Sequence, residues 1–513
     1  MAAPLILALD QGTTSTRAIL FDVDGRALAQ ASRPLAQSYP RDGWVEHDPE
    51  AIFRDSVAVL REAVEKAGAA MGEVAALGIS NQRETTVVWD RASGAPIHPA
   101  IVWQDRRTAD VCEGLRGQGA EPRVAALTGL LLDPYFSATK IAWVLDRVDG
   151  ARARAERGEL FAGTIDTWMV WKLTEGRVHA TDATNASRTL LMDLERQVWS
   201  DELCALLRVP AAVLPQIRDT AGSFGEASAA ILGAAVPIRG VAGDQQCALL
   251  GQGCVSAGEA KATYGTGCFM LMHTGQAAPR SSARLLTTVA SMVGGKASYA
   301  LEGSIFVAGA AIQWMNEGLG VTGGPTAVEA LAKSARPGHG VVAVPAFTGL
   351  GAPYWDAEAR GAIFGLTRDA GLPEIAEALF DACALQSRDL IEAMRQDALS
   401  AFRQGGALRI DGGMARSAWF ARRLADLTGL SVAPAANPET TALGAALFAA
   451  VGAGLYASLE ATEQARTPVE AIRPALGAAE RDARYGRWRE AVGRARGPIV
   501  DGGGANRIGK GAL

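Results

Sequence analysis

Two short turns rich in glycine and threonine carry the residue types that bind phosphate groups. The first is Asp10-Gln-Gly-Thr-Thr-Ser15, followed by Arg17, and the second, about half the chain later, is Gly265-Thr-Gly267. Backbone N–H groups in a tight turn, small hydroxyls and a guanidinium together suit a phosphate. Either turn alone could be a plain hairpin turn, but two such turns facing each other across a cleft would hold a polyphosphate from both sides. Asp10 is a candidate Mg²⁺ ligand through water, because Mg²⁺ retains much of its hydration shell.

Three polar clusters follow strand-like runs. They are Asn81-Gln-Arg-Glu84, Trp103-Gln-Asp-Arg-Arg107 and Gly243-Asp-Gln-Gln246. Sheet folds bind ligands at the carboxyl ends of strands. Guanidinium donors, carboxylates and amides suit a small ligand rich in hydroxyls, and Trp103, Tyr135 and Phe269 could cover its carbon side. Each cluster alone could be a solvated loop or an ion pair, but the three together favour a binding site.

Composition excludes several classes of protein. The 50 lysine and arginine residues against 55 aspartate and glutamate residues give a net charge of −5, with both signs mixed along the chain, which argues against a nucleic-acid partner. The 49% of hydrophobic residues predicts a folded globular protein. The six cysteines form no C-x-x-C pair, so we expect buried thiols in a reducing compartment. The first residues resemble neither a signal peptide nor a membrane anchor, and a cytoplasmic protein is expected.

The periodicity of the first ninety residues predicts an α/β fold. Leu5–Leu9 and Thr16–Phe21 indicate a strand pair, and Asp48 followed by Pro49 predicts a helix start with apolar residues at helical spacing as far as Gly68. The uncharged, alanine-rich run 441–459 favours a closely packed interior helix over a membrane span.

A strand pair of the same kind recurs at 259–272, around the second turn, and a third glycine turn, Asp411-Gly-Gly413, follows another short strand. The recurrence predicts two lobes of related design. We expect an N-terminal lobe at 1–252, a C-terminal lobe at 253–490 and a mobile tail at 491–513.

The chain resembles the FGGY carbohydrate kinases of the actin/hexokinase-like superfamily, from about residue 5 to about residue 490. The motifs that carry the resemblance are Asp10–Arg17, Ser80–Thr85, Trp103–Arg107, Tyr135–Lys140, Gly243–Gln246, Tyr264–Gly267, Gly351–Asp356 and Asp411–Gly413. The resemblance implies two actin-like (ribonuclease H-like) lobes with a catalytic cleft between them. It also implies ATP and Mg²⁺ as co-reactants. The acceptor motifs are similar to those of members that convert glycerol to sn-glycerol 3-phosphate, the first step of glycerol catabolism.

The resemblance also implies roles for individual residues. Those expected at the glycerol hydroxyls and its apolar side are Arg83, Glu84, Trp103, Tyr135, Asp244, Gln245 and Phe269. Those expected at the nucleotide are Thr13, Thr14, Ser15, Arg17, Thr266, Gly309, Gln313, Gly413 and Ser417. Ser417 stands where the family usually has asparagine. Asp244 is the expected base and, with Asp10, the expected Mg²⁺ ligand through water.

Other functions fit parts of the same pattern. A kinase for xylulose, ribulose or erythritol would keep the fold and differ at the acceptor clusters. An actin-like scaffold would bind nucleotide without transferring phosphate, and a nucleotide or polyphosphate hydrolase would need no polyol. The expected partners are glycerol and ATP, with neither nucleic acid nor membrane embedding, and the family resemblance implies a homodimer or homotetramer.

Overall fold

The computed structural model describes residues 4–398 and 406–496. The strands of the first half are β1 (Leu5–Gln11), β2 (Ser15–Asp22), β3 (Ala27–Pro34), β4 (Glu46–His47), β5 (Val74–Asn81), β6 (Thr86–Asp90), β7 (Ala100–Ile101), β8 (Leu160–Thr164), β9 (Ala180–Asp182), β10 (Met192–Asp193), β11 (Val198–Trp199), β12 (Gln216–Arg218), β13 (Glu226–Ala227) and β14 (Val236–Gly243). The helices of the first half are α1 (Pro49–Lys66), α2 (Ala109–Gly117), α3 (Glu121–Thr128), α4 (Ser137–Arg147), α5 (Ala151–Glu156), α6 (Ile165–Leu173), α7 (Ala183–Ala186), α8 (Asp201–Leu206), α9 (Ala229–Leu232) and α10 (Asp244–Gly251).

The second half has fewer and longer elements. Its strands are β15 (Ala260–Tyr264), β16 (Cys268–Gly275), β17 (Leu286–Val293), β18 (Lys296–Ile305), β19 (Val342–Val344), β20 (Ala362–Phe364), β21 (Ala407–Asp411) and β22 (Ser431–Pro434). Its helices are α11 (Gly309–Glu317), α12 (Gly324–Lys333), α13 (Leu372–Asp397), α14 (Ala418–Thr428), α15 (Thr440–Gly452) and α16 (Ala478–Ala495).

Each half is built on a six-stranded sheet with the same local plan. In the first sheet the order is β13-β14-β5-β1-β2-β3, with β1 antiparallel to β2 and parallel to β5. In the second the order is β17-β18-β16-β15-β21-β22, with β15 antiparallel to β16 and parallel to β21. The α/β class and the two-lobed architecture are therefore confirmed. A third sheet has the order β4-β7-β6-β8. Strand β6 therefore lies in a different sheet from β5, the strand that precedes it in sequence.

The predicted helix at Asp48 forms as expected. The carboxylate of Asp48 accepts a hydrogen bond from the N–H of Glu50, Pro49 occupies the first turn, and the helix ends at Lys66 before Gly68. Its apolar stripe, which includes Ile52 and Leu60, is buried against the first sheet. Local sequence signals were sufficient for this element.

The alanine-rich interior helix is α15, and it joins the two lobes. It starts at Thr440 and ends at Gly452, so the apolar run to Leu459 is only partly helical. Although it belongs to the second half of the chain, it packs on β1, β5 and β14 of the first sheet and on α10. A Cβ on Gly444 would lie 1.8 Å from the carbonyl oxygen of Cys247, so these two helices cross with their backbones in contact.

The C-terminal end of the described chain is helical. We expected a tail from residue 491, but α16 continues through Ala495 and packs through the buried side chains of Trp488 and Val492. The rest of that predicted tail, 497–513, lies outside the described residues. The predicted lobe boundary near residue 252 stays a prediction. Among the described residues, every helix is either too short or too polar to cross a lipid bilayer.

Candidate functional site

The first phosphate turn, Gly12–Ser15, connects β1 to β2. The N–H of Gly12 donates to the carbonyl oxygen of Ser15 at 2.9 Å, which closes the turn and leaves Thr14 exposed and Thr13 half-buried. Beside the turn, Arg17 forms an ion pair with Glu439 at the start of α15. Hydroxyls and N–H groups thus face solvent where the antiparallel pair turns.

The second phosphate turn, Gly265–Gly267, connects β15 to β16 in the other lobe. The N–H of Gly265 donates to the carbonyl oxygen of Gly267 at 2.9 Å, and the carbonyl oxygen of Thr266 accepts the N–H groups of Ala308 and Ala310. Gly309, the first residue of α11, lies against this turn, since a Cβ there would be 2.5 Å from the carbonyl oxygen of Gly265. Thr266 and Gly309, both predicted to contact the nucleotide, are therefore neighbours.

The remaining nucleotide candidates lie near this second turn. Gly412 has φ +89°, and a Cβ there would be 2.4 Å from the carbonyl oxygen of Tyr264, so glycine is required. Gly413 next to it is exposed with open space around it. The hydroxyl of Ser417 accepts the N–H of Phe420 at 2.9 Å and caps α14, so it is already engaged in the fold. Gln313 is exposed on α11 and donates to Glu317 at 2.8 Å.

Four buried charges, which we name the acceptor network, lie at the carboxyl end of β5. Arg83 donates to both oxygens of Glu302 at 2.6 and 3.2 Å, and Arg188 donates to Glu302 at 2.9 Å and to Glu84 at 2.6 Å. All four side chains are almost fully excluded from solvent. Burial opposes the charged form of Glu302, but Arg188 and Arg83 outweigh it and lower its pKa to about 2. The network therefore holds two carboxylates and two guanidiniums in fixed positions.

Asp244 lies between the acceptor network and the phosphate turns. It is the first residue of α10, its carboxylate is 3.3 Å from Nε of Arg83, and its side chain is 30% exposed. The N–H of Gly243 donates to the hydroxyl of Thr184 at 2.9 Å, which fixes the backbone where Asp244 begins. It combines a contact to the network with access to solvent, and this suits a group that exchanges a proton with a bound substrate.

Aromatic rings form one wall of the same cleft. Trp103 meets Tyr135 edge to face with centroids 5.6 Å apart and meets Phe269 of the other lobe at 6.2 Å. The indole N–H of Trp103 donates to the hydroxyl of Thr13 at 2.9 Å. Tyr135 also lies 3.5 Å from Arg83, so the aromatic wall joins the acceptor network to the first phosphate turn.

Three residues of the site were not found from the sequence. Lys261 is the one charged residue of β15, Glu302 is the one charged residue in the buried part of β18, and Arg188 follows the short helix α7. Lys261 donates to the side-chain oxygen of Gln245 and, at 2.9 Å, to the hydroxyl of Thr263. A lone charge inside an otherwise apolar strand was the available signal, because such a charge must be paired in the fold.

The polar run Trp103–Arg107 does not act as one ligand cluster. Trp103 belongs to the aromatic wall of the cleft. Asp105 and Arg107 pair with each other at 2.8 Å with fully buried side chains, and the guanidinium of Arg107 lies 3.8 Å above the ring of Trp44. Arg106 pairs with Asp133 on the surface. The sequence pattern did not distinguish these structural ion pairs from ligand-binding groups.

Asp10, at the end of β1, has an environment that suits a divalent cation. Burial raises the pKa of its carboxyl to about 7, and the nearby charge of Asp244 adds to the rise while Arg17 opposes it. Asp10 and Asp244, of which Asp244 also pairs with Arg83, supply the one or two protein carboxylates that Mg²⁺ needs besides water and phosphate. The residues therefore fit Mg²⁺.

Comparison with known proteins identifies the family. The model of the FGGY family of carbohydrate kinases matches its N-terminal domain to residues 5–251 and its C-terminal domain to residues 260–453. The chain belongs to this family. This FGGY kinase is 54% identical to a glycerol kinase of Alcanivorax borkumensis, over 96% of this chain and 98% of that one. It is 52% identical to glycerol kinase 1 of Pseudomonas aeruginosa, over 96% and 99% of the two chains.

Solved structures give the same result for the fold of this FGGY kinase. A glycerol kinase of Plasmodium falciparum with ADP superposes with a TM-score of 0.90 at 31% identity, covering 97% of this chain and 99% of that one. A xylulose kinase of Rhodospirillum rubrum superposes with a TM-score of 0.83 at 25% identity, covering 96% and 98%. The two-lobed fold is thus shared between relatives named for different acceptors, so acceptor choice must come from the side chains of the cleft.

Proposed function

We propose that this FGGY kinase transfers the terminal phosphoryl group of ATP to a terminal hydroxyl of glycerol, giving sn-glycerol 3-phosphate, with Asp244 as the base. The observation that carries the proposal is the position of Asp244, a partly exposed carboxylate 3.3 Å from Arg83 of the acceptor network. Relatives that match nearly the whole chain at more than 50% identity are named glycerol kinases.

The acceptor network suits a small neutral polyol. Arg83 and Glu84 offer donors and acceptors whose orientations are already fixed by Arg188 and Glu302. A neutral ligand brings no charge to organise these groups, so their preorganisation reduces the cost of binding. Tyr135 and Gln245 would complete the contacts to hydroxyls, and Trp103 with Phe269 would cover the carbon side.

The phosphate turns suit the other substrate. Thr13, Thr14 and Ser15 would contact the β- and γ-phosphates of ATP through hydroxyls and backbone N–H groups, with Arg17 as the cation. The expected contacts for the rest of the nucleotide are Thr266, Gly309, Gln313, Gly413 and Ser417. Because the side chain of Ser417 caps α14, we expect a weaker contact to adenine from this residue than from a free amide.

Asp244 would orient the attacking hydroxyl and accept its proton late in the transfer. The pKa of an alcohol is far above that of a carboxylic acid, so the proton moves only as the bond from oxygen to phosphorus forms. Arg83 at 3.3 Å keeps the carboxylate directed into the cleft. Positioning of the two reactants then supplies much of the acceleration.

Asp10 and Asp244 would hold Mg²⁺ through water, in the manner usual for this ion, and the ion would neutralise charge on the phosphates. Water competes with glycerol for the phosphoryl group, and we infer that the lobes close around both ligands before transfer. Scattering profiles that stay unchanged when glycerol and an ATP analogue are added would argue against closure.

The first test is ADP release with Mg·ATP, run without acceptor and then with glycerol, xylulose, ribulose and erythritol. Strong stimulation by glycerol alone is expected. Equal turnover without acceptor would identify a hydrolase. Stimulation by another polyol would leave the assignment of Asp244 as the base intact and would show that the acceptor is not glycerol. No ADP release with any acceptor would favour the nucleotide-binding scaffold.

The second test replaces the base. Asp244→Asn keeps the shape of the side chain and removes its ability to accept a proton, so turnover should fall by about 10³-fold, within the usual range for a general base. Binding of ADP, measured by calorimetry, should remain within about threefold of the original, a change of less than about 1 kcal/mol. A variant that keeps a tenth of the rate would remove Asp244 from this role.

A further inference from the structure

The buried carboxylate of Asp182 has more hydrogen-bond partners than its local role in the fold requires. Asp182 precedes the short helix α7 and caps it, because its carboxylate accepts the backbone N–H groups of Thr184 and Asn185 at 2.8 and 3.0 Å. Three side chains donate to the same carboxylate. They are the hydroxyls of Thr184 and Thr220, at 2.9 and 2.8 Å, and the amide of Asn185, at 2.9 Å. Helix capping explains two of these five bonds, so the other three need a further explanation.

The hydroxyl of Thr184 connects Asp182 to the backbone beside Asp244. This hydroxyl donates to Asp182 and accepts the N–H of Gly243 at 2.9 Å. Because a hydroxyl has a single proton to donate, its bond to Asp182 leaves a lone pair directed at Gly243. Gly243 is the last residue of β14, and Asp244 begins α10. The bond therefore lies one residue from the proposed base, where the strand changes to a helix.

The amide of Asn185 makes a second connection, to the segment that carries Arg83. Asn185 and Asn81 exchange two amide hydrogen bonds, each 3.0 Å long. The amide nitrogen of Asn81 also donates to the carbonyl oxygen of Gln82 at 2.9 Å, which constrains the chain between Asn81 and Arg83. These side chains are buried, so solvent does not compete for the bonds. Asn185 thus ties Asp182 to the carboxyl end of β5.

The two connections end on neighbouring strands. β14 and β5 are parallel neighbours in the first sheet, and Gly243 lies opposite Asn81 in their register. The ladder of the sheet stops at this pair, yet Asp244 and Arg83 beyond it must keep their 3.3 Å contact. The residues that link the two strand ends, which we name the strand-end brace, are Asp182, Thr184 and Asn185.

We propose that Asp182 is a positioning residue for phosphoryl transfer, because the strand-end brace sets the base Asp244 and the acceptor-binding Arg83 relative to each other. The inference rests on the proposed function, in which Asp244 takes the proton of glycerol. A displacement of about 1 Å at a reacting group can slow a reaction by about 10²-fold, so buried hydrogen bonds next to the base affect the rate. Thr184 is expected to act on Asp244, and Asn185 on Arg83.

Thr184→Val tests the connection to Asp244. Valine keeps the shape of threonine and removes the hydroxyl, which leaves the N–H of Gly243 without its acceptor. We expect the rate of a single turnover at saturating glycerol and Mg·ATP, measured by rapid quench, to fall about tenfold or more. The dissociation constant of ADP should stay within about twofold. Thr184→Ser keeps the hydroxyl and should recover about half of the original rate or more.

The matched control is Thr128→Val in α3. The hydroxyl of Thr128 is also buried, donates to the carbonyl oxygen of Val124 at 2.7 Å and accepts the N–H of Leu130 at 3.0 Å. Its removal costs the fold one donated and one accepted bond, as in Thr184→Val, in a helix that carries none of the residues assigned to the site. Both variants should have a lower melting temperature, and only Thr184→Val should be slower in the single turnover.

Asn185→Leu tests the connection to Arg83. Leucine is similar in size to asparagine but has no amide, so the end of β5 loses its link to Asp182. We expect KM for glycerol to rise about tenfold, with the dissociation constant of ADP again within about twofold. An unchanged KM for glycerol would overturn this half of the proposal.

The decisive measurement combines Thr184→Val with Asp244→Asn. If Thr184 acts through Asp244, Thr184→Val should slow the reaction no further once the base has been replaced. The same loss in both backgrounds, equal rates in Thr184→Val and Thr128→Val, or a Thr184→Ser variant as slow as Thr184→Val would each overturn the positioning role.

Failure of the proposed function gives a different result. The unmodified protein would then release no ADP with glycerol, or Asp244→Asn alone would keep its rate. In either case Asp244 is not the base of this reaction, and the positioning role is overturned together with it. An active unmodified protein with an inactive Asp244→Asn variant confirms the base and leaves the strand-end brace to be decided by the Thr184 variants.

Discussion

The acceptor network and the phosphate turns are organised in opposite ways to bind their proposed ligands, glycerol and ATP. In the network, Arg83, Arg188, Glu84 and Glu302 are buried and paired with one another, and their partners come from both lobes. In the turns, Gly12–Ser15 and Gly265–Gly267 are accessible backbone, closed by one hydrogen bond each. Ion pairs hold the acceptor network in place, whereas the backbone geometry of the turns holds the phosphate-binding groups in place.

The difference follows from what each ligand brings. Glycerol is neutral, so charged groups that bind it must already be compensated within the protein, or their burial would be too costly. A polyphosphate brings its own negative charge, and N–H groups and hydroxyls of a turn can bind it without buried counter-charges. Changes in the network should therefore affect glycerol, and changes in the turns should affect ATP.

Glu302→Gln should have the largest effect. It leaves two buried guanidiniums with one carboxylate fewer, and breaking a buried pair typically costs about 3–5 kcal/mol. We expect kcat/KM for glycerol to fall by about 10²- to 10³-fold while the dissociation constant of ADP stays within about twofold. The control is Glu195→Gln, which removes an exposed partner of Arg280 and should change neither. Equal losses for glycerol and ADP would contradict the separation of the two regions.

The free energy of unfolding at acid pH should depend on the negative charge of Glu302. The pKa of Glu302 falls to about 2 in the folded protein from an ordinary value of 4.5, so its stabilising contribution is complete above pH 4.5 and is lost as the pH falls toward 2. The free energy of unfolding of the unmodified protein should exceed that of Glu302→Gln by an amount that shrinks by about 3 kcal/mol across this window. Denaturant unfolding at several pH values measures it, and a constant difference would show that Glu302 is not ionised in the fold.

Gly309→Ala should affect ATP rather than glycerol. Its new Cβ would lie 2.5 Å from the carbonyl oxygen of Gly265, so the second phosphate turn must shift. Overpacking of this kind costs about 1–3 kcal/mol, and we expect KM for ATP to rise about tenfold while KM for glycerol stays the same. Gly114→Ala in α2, where a Cβ has open space, is the matched control and should leave both constants unchanged. A rise in KM for glycerol alone would reverse the assignment.

Glu439→Gln should have the smallest effect. It frees Arg17, a partly exposed residue, from its ion pair and leaves the cation available to the phosphates. Such pairs are worth about 1 kcal/mol or less, so KM for ATP should fall by about two- to fivefold. Glu62→Gln, which removes a surface partner of Lys66, is the control. A higher KM for ATP would mean that the pair with Glu439 is what orients Arg17 for phosphate.

Part of the site could be predicted from the sequence because its signals are local. The turns depend on glycine, small hydroxyls and the strands on either side, all contained within about ten residues. The cap at Asp48 and the run of alanines in α15 were equally local. Asp244 and Arg83 were predicted from polar clusters at strand ends, which form motifs of adjacent residues, and they lie 3.3 Å apart in the fold.

The remaining features needed the tertiary structure. Glu302 is 219 residues from Arg83 in sequence, and neither has a neighbour in the chain that predicts their pairing. The residues of the run Trp103–Arg107 look alike in sequence but serve two purposes. Asp105 and Arg107 form a buried ion pair within the fold, whereas Trp103 packs against Tyr135 at the cleft.

The sequence by itself determined the α/β class, the two phosphate turns, the base candidate and the family, since each depends on residues close together in the chain. Only the tertiary structure decided which charges compensate one another, where the lobes touch and which polar side chains are left unpaired. Those properties depend on burial and on distances between remote segments. Electrostatic energies change steeply with both, and a one-dimensional pattern contains neither.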